Sequence, residues 1–199
     1  MTDFFIKSDI SRNDAEKVVS ETLKNCDDGE LYLENSKTEN IVLDDSKIKN
    51  SSYNSDIGYG LRAVTGEVIA YSHSNEISKN SLKNSSENLK STLKSKKGTY
   101  NHSISKSNIK YYEDKNPIEE KSFSSKIKIL EEIDKYTRSK NPNVKQVTAN
   151  FLGEHKSVEI IRAGGEILTD IRPLVRFNVS VVLEKNGKKE TGVYGIGGR

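Results

Sequence analysis

Leu174-Val175-Arg176-Phe177-Asn178-Val179-Ser180-Val181-Val182-Leu183, closed by Lys185-Asn186-Gly187-Lys188, is the stretch that decides the fold. Apolar side chains fall at Val175, Phe177, Val179, Val181 and Leu183, every second position, and a period of two belongs to a strand with one buried face. The spacing predicts a core strand with those five side chains inside. Asn186-Gly187 supplies two residues that tolerate positive φ, as a type I′ turn requires, so a partner strand is expected over Lys189 to Tyr194. Upstream, Val147, Ala149 and Phe151 alternate with polar neighbours, Val158 to Arg162 continues the pattern, and Gly164-Gly165 marks a turn. The last third therefore reads as a meander of four or five antiparallel strands, with Glu154-His155 at a turn.

Before the meander, Phe123, Ile127, Leu130 and Ile133 recur at helical spacing until Asn141-Pro142 stops them. At the start of the chain, Ser11 can cap a helix over residues 12–25 whose apolar side is Ala15, Val18, Val19, Leu23 and Cys26. Two short strands are expected around Leu31 to Leu33 and Ile41 to Leu43, then a polar turn over Asp45 to Asn50. A hairpin follows, with Gly58 to Val64 and Val68 to Tyr71 flanking Thr65-Gly66-Glu67. Ile77, Leu82, Leu89 and Leu93 suggest a second helix, with Ser81, Ser85 and Ser86 small enough to lie close to a sheet. The expected fold class is α+β, with antiparallel sheets and segregated helices in two lobes. The lobes are placed at 1–97 and 122–199, joined by a polar linker at 98–121.

Composition narrows the function. Apolar residues make up 33% and charged residues 31% of the 199, and 32 basic against 29 acidic side chains leave a net charge of +3. That imbalance is too small to call for a polyanionic partner. The run Lys79 to Lys110 holds eight lysines and one acid, Glu87, with Tyr100, Tyr111 and Tyr112 nearby. Single strands bind such surfaces, but the run has no nucleic-acid-binding motif around it and reads as a solvated helix face and linker, so no nucleic acid is expected. Cys26 alone excludes an internal disulfide and fits packing in a reducing compartment. No apolar segment approaches membrane-spanning length, which points to a cytoplasmic chain without a membrane partner.

Catalytic chemistry is not assembled here. His73, His102 and His155 are far apart, and none sits in an H-E-x-x-H or H-E-x-x-x-H pattern that would set two imidazoles on one helix face. We therefore expect no catalytic residue, no metal ligand and no cofactor from this chain. Gly195-Ile196-Gly197-Gly198-Arg199 lacks the spacing and the Lys of a phosphate loop, so a structural role is expected.

Taken in order, several phrases resemble the TldD/PmbA family of peptidases. They are Ile41-Val42-Leu43-Asp44-Asp45, Ile48 to Asn54, Gly58-Tyr59-Gly60-Leu61-Arg62-Ala63-Val64-Thr65-Gly66-Glu67, Val144 to Ala149, Ile171 to Val181, Asn186 to Glu190 and Gly195 to Arg199. The resemblance implies a zinc-dependent metallopeptidase that acts on unfolded or extended peptides, matures modified peptide antibiotics and removes antitoxins. It implies a PmbA/TldE-type or identical subunit as partner. The family's H-E-x-x-x-H motif lies in the carboxy-terminal half, so zinc is expected of the full-length family member and no ligand is carried onto a position here. In that frame Gly195, Gly197 and Gly198 are candidates for backbone lining a peptide cleft, at a chain end expected to fray. The alternative is a stand-alone peptide- or partner-binding module without catalysis.

Overall fold

The computed structural model describes residues 3–93, 97–99 and 112–199. Its elements run α1 (Arg12–Leu23), β1 (Asp28–Asp44), β2 (Lys47–Thr65), β3 (Val68–Ser74), α2 (Lys79–Leu93), α3 (Phe123–Lys140), β4 (Val144–Arg162), β5 (Ile167–Lys185) and β6 (Lys188–Gly198). The strands form one six-stranded sheet in the order β3-β2-β1-β4-β5-β6, so consecutive strands on either side of β1–β4 are neighbours joined by tight turns. The class is α+β, as the alternation predicted.

The residues group into two units, Met1–Asn35, Asp56–Tyr111 and Ser157–Asp170 in the first, Ser36–Ser55, Tyr112–Lys156 and Ile171–Arg199 in the second. In the first, Ser11 caps α1 by accepting from the Asp14 amide, and Ala15, Val19 and Leu23 turn inward at helical spacing. They meet Leu31, Leu33, Leu61 and Ala63 from the sheet and Leu82 and Leu89 from α2, all within 3% of full burial. Ser85 and Ser86 let α2 approach closely: the Tyr59 hydroxyl bonds Ser81 and Ser85, and Thr22 bonds Ser86 at 2.6 Å. Cys26 is buried in this core as a packing residue. On β4, buried Glu159 pairs with Arg12 at 2.9 Å, and burial pushes its carboxyl above the usual range.

The second unit is centred on Ile41, Leu43, Leu130, Ala149 and Phe151. Ser122 caps α3 through the Ser125 amide, and Asn141 ends it ahead of Pro142, as the periodicity predicted. Lys126, on the inward face of α3, is buried with its Nζ bound to Glu39 of β1 and to the Ile118 carbonyl at 2.5 Å, while lying 5.4 Å from the Phe151 ring centre.

Four expectations change. The two short strands before residue 45 are one strand, β1, because the inward positions between Leu33 and Ile41 carry polar side chains that find distant partners: Lys37 binds Glu119 and Glu39 binds Lys126. The polar turn shrinks to Asp45 and Ser46, and residues 47–56 extend β2 although they are mostly exposed. Glu154-His155 lies inside β4, and the meander has three long strands. Val175, Phe177, Val179, Val181 and Leu183 do share the inward parity of β5, yet each is only half-buried, since the core of this unit reaches Val175 and Phe177 and goes no further along the strand.

Candidate functional site

The sequence singled out Gly195, Gly197 and Gly198, and the structure places all three in β6, opposite Asn178, Arg176 and Val175 of β5. They are strand residues held by a partner. The turn before them has Asn186 at φ 53° and Gly187 at φ 76°, both left-handed, as a type I′ hairpin demands. A Cβ on Gly195 would stand 2.6 Å from Asn178 Oδ1 and 3.5 Å from an Arg176 guanidinium nitrogen. On Gly197 it would meet the Val175 carbonyl at 2.7 Å, whereas Gly198 has open space. Close approach of backbone thus requires the glycine at 197, whereas a side chain at 195 would displace the Asn178 amide. Their bareness lets the exposed Arg176 side chain lie over β6, with its Nε donating to Asn178 Oδ1 at 3.0 Å.

Asn178 continues inward as a row of amides across adjacent strands. Asn150 of β4 donates to Asn40 of β1 at 2.5 Å and to the Ile41 carbonyl at 3.3 Å, and Asn178 donates to Asn150 at 3.5 Å. On the same parity of β1 and β4, Asp44 accepts from Gln146 at 2.9 Å and Thr148 at 2.8 Å, and pairs with Lys49 at 2.9 Å. Those bonds, the Gln146 amide first, lower its pKa to about 2. Sequence reasoning missed this row. The signal was present, because Asn40, Asn150 and Asn178 all occupy polar steps of alternating strands, but the register that aligns them is a property of three strands together.

At the neighbouring turn, Asp45 (φ 48°) and Ser46 (φ 61°) both adopt left-handed backbone without being glycine. Asp45 is held by Arg138 at 2.5 Å and by reciprocal backbone and side-chain bonds with Val147, and Ser46 donates to Asp134 at 2.6 Å.

β6 ends the sheet order, and every one of its residues is exposed, with Val193, Tyr194 and Ile196 each at least 60% exposed. Beside its last residues lies a cavity of about 280 Å³ lined by Pro117, Pro173, Leu174, Val175, Gly198 and Arg199 together with the charged Glu113, Lys115 and Glu120. Arg199 lies 5.3 Å from the Tyr112 ring centre.

Among the described residues no group of three His, Cys, Asp or Glu side chains comes together that could hold a metal ion. His73 stacks on Tyr71 in β3 at 5.7 Å, and His155 sits in β4 with its pKa lowered, chiefly by burial. His102 and most of the lysine run beyond Leu93 lie outside the described residues. Nor is any described helix long and apolar enough to cross a membrane.

Residues 29–95 match the family domain described as PmbA/TldA metallopeptidase domain 1, and residues 116–199 match the PmbA/TldA metallopeptidase central domain. Curated relatives include the metalloprotease TldD homolog of Haemophilus influenzae, 36% identical over 182 residues covering 88% of this chain and 37% of that protein. The TldD homolog of Buchnera aphidicola from Acyrthosiphon pisum is 33% identical over 87% of this chain and 36% of its own length. The chain thus spans little more than a third of the length of these relatives. Among solved structures, TldE from Thermococcus kodakarensis superposes with a TM-score of 0.68 at 14% identity, over 92% of this chain and 42% of that one. A Thermotoga maritima protein described as a modulator of DNA gyrase gives 0.71 at 10% identity, over 86% and 39%. At those identities the structures speak for the fold.

Proposed function

The chain belongs to the PmbA/TldD metallopeptidase family, and from that premise we propose that it is the amino-terminal region of a TldD-type peptidase that processes unfolded peptides beside a PmbA/TldE-type subunit. The observation that supports this most is the ordered match of the family's domain 1 over 29–95 and its central domain over 116–199. The region is non-catalytic on this reading, and zinc belongs to the portion of the relatives that lies beyond the match. Two lobes, 1–97 and 122–199, joined by 98–121, are the working division. The contribution of this region is sheet: open strand edges present rows of backbone donors and acceptors, which hold an extended peptide with little demand on its sequence. Gly195, Gly197 and Gly198 are the proposed cleft backbone. A cytoplasmic location goes with this reading.

The test is a chimera in which residues 1–199 replace the matching third of the Haemophilus influenzae relative. Chelator-sensitive hydrolysis of an unfolded peptide by the chimera, with none from 1–199 alone, is the expected result. A chimera that folds, takes up zinc and binds a TldE-type subunit yet cleaves nothing would overturn the proposal in favour of a separate binding module.

A further inference from the structure

We propose that the cavity at the C-terminal ends of α1 and α2 binds a small free α-amino acid, with Glu21 taking its ammonium and Lys90 its carboxylate. Every residue of the site belongs to the first unit, and nothing in it depends on the peptidase reading.

The cavity measures about 210 Å³, larger than the roughly 150 Å³ space that takes benzene in an engineered core, so a molecule the size of threonine fits. Its buried lining includes Cys26, Thr65 and Leu93, and its exposed lining is Glu21, Asn25 and Lys90. The loop after α1 that forms one wall is fixed in advance. Cys26 N–H donates to the Leu23 carbonyl at 3.0 Å, Asp27 N–H to the Val64 carbonyl at 2.8 Å and Gly98 N–H to the Asn25 carbonyl at 2.7 Å. The Asp27 carboxylate accepts from the Gly66 and Thr99 amides at 2.7 and 2.8 Å, which ties the same loop to the β2–β3 turn. A wall already in place spares a ligand the cost of ordering it.

Two features of the lining call for a ligand. The first is charge: Glu21 and Lys90 carry opposite signs on one cavity, yet among the described residues neither side chain forms an ion pair or a hydrogen bond, even with the other. Unlike charges that face one space without meeting are the complement of a zwitterion. The second is Thr65, which is 3% exposed and whose hydroxyl finds no hydrogen-bond partner. Such a hydroxyl is destabilising, and one rotation about its Cα–Cβ bond would offer it to an occupant with a hydroxyl or amide of its own. Thr22, on the same cavity, is already engaged by the Val18 carbonyl and Ser86. Cys26 completes the wall without joining the chemistry, since burial raises its pKa and keeps the thiol protonated. The occupant therefore needs an ammonium, a carboxylate and a short polar tip, as serine, threonine and asparagine have.

Isothermal titration calorimetry of the 199-residue chain with L-threonine should give a Kd on the order of 0.1–1 mM. L-threoninol and N-acetyl-L-threonine each lack one of the two charges and should bind at least about tenfold more weakly. L-valine has the same shape without the hydroxyl and should bind at least about threefold more weakly. Lys90→Gln and Glu21→Gln alter exposed side chains and should keep the wild-type melting temperature. Lys90→Gln should erase the preference over threoninol, and Glu21→Gln the preference over N-acetylthreonine. Thr65→Val keeps the volume and should erase the difference between threonine and valine. Cys26, the single cysteine, reports occupancy directly, because its labelling by a small thiosulfonate should slow when threonine is present.

No heat and no protection of Cys26 with serine, threonine or asparagine up to about 20 mM, well above the expected Kd, would overturn the proposal and leave water as the occupant. Equal affinity for threonine and threoninol, or for threonine and valine, would overturn it too. So would threonine binding that keeps its strength in both Lys90→Gln and Glu21→Gln, since the ligand would then sit elsewhere. These results stand whether or not the chimera hydrolyses a peptide.

Discussion

Replacing Lys126 with Met removes a charge from the interior of the second unit while keeping most of the side chain's volume. The Lys126 side chain is 3% exposed and Glu39 is 11% exposed, so solvent does little to screen either. Nζ serves two acceptors, the Glu39 carboxylate and the Ile118 carbonyl. Without it, Glu39 is left as a buried charge with no counter-ion, and breaking such a pair from one side costs about 3–5 kcal/mol. Losing the donor to Ile118 adds about 1 kcal/mol. Urea unfolding followed by far-UV circular dichroism should therefore place Lys126→Met about 4–6 kcal/mol below the wild type. The double variant Lys126→Met, Glu39→Leu should recover most of that loss, because an apolar pair of similar volume has no charge to desolvate. A single-variant loss under about 1 kcal/mol, typical of exposed pairs, would refute the argument and mean that water reaches the pair in solution.

Three further outcomes follow from the geometry. Asp44 is held near 2 in the folded chain against 3.8 for the free group, so its bonds stabilise the fold above about pH 4 and that contribution is lost as pH falls towards 2. Asp44→Asn should flatten the pH dependence of the melting temperature across that window, and an unchanged slope would remove Asp44 from the account. Gly187 has open space around its α-carbon and φ of 76°, so Gly187→Ala should cost about 1–2 kcal/mol from backbone strain alone, measured by thermal unfolding. Leu130 is fully buried, and Leu130→Ala should cost about 2–5 kcal/mol, more than Phe177→Ala on the half-covered strand, with the reverse order in urea midpoints contradicting the placement of the core.

Local patterns carried the fold a long way. Ser11 and Ser122 announced their helices because a cap is a contact within one turn, and Asn186-Gly187 announced its hairpin because positive φ is a single-residue property. β1 was misread as two strands for the opposite reason. Glu39 and Lys37 look like a loop until Lys126 and Glu119, more than eighty residues on, supply their partners. The half-burial of β5 was equally invisible, since alternation reveals which side chains share a face and not what covers that face. At the candidate site the glycines were legible as a composition, whereas the reach of Arg176 and the amide row depend on register across β1, β4, β5 and β6.

The left-handed turn at Asp45 and Ser46 has a kinetic consequence. Two non-glycine residues at positive φ are disfavoured in an isolated hairpin, and the groups that hold them, Asp134, Arg138 and Val147, lie 88 to 102 residues further along the chain. A newly made β1–β2 ribbon cannot close this tip on its own, and must wait until α3 and the start of β4 have been synthesised and docked. Contacts of such long sequence separation form late and raise the contact order of the whole sheet, so the tip should be unformed in the folding transition state, and substitutions at Asp45 should speed unfolding and leave the folding rate nearly untouched.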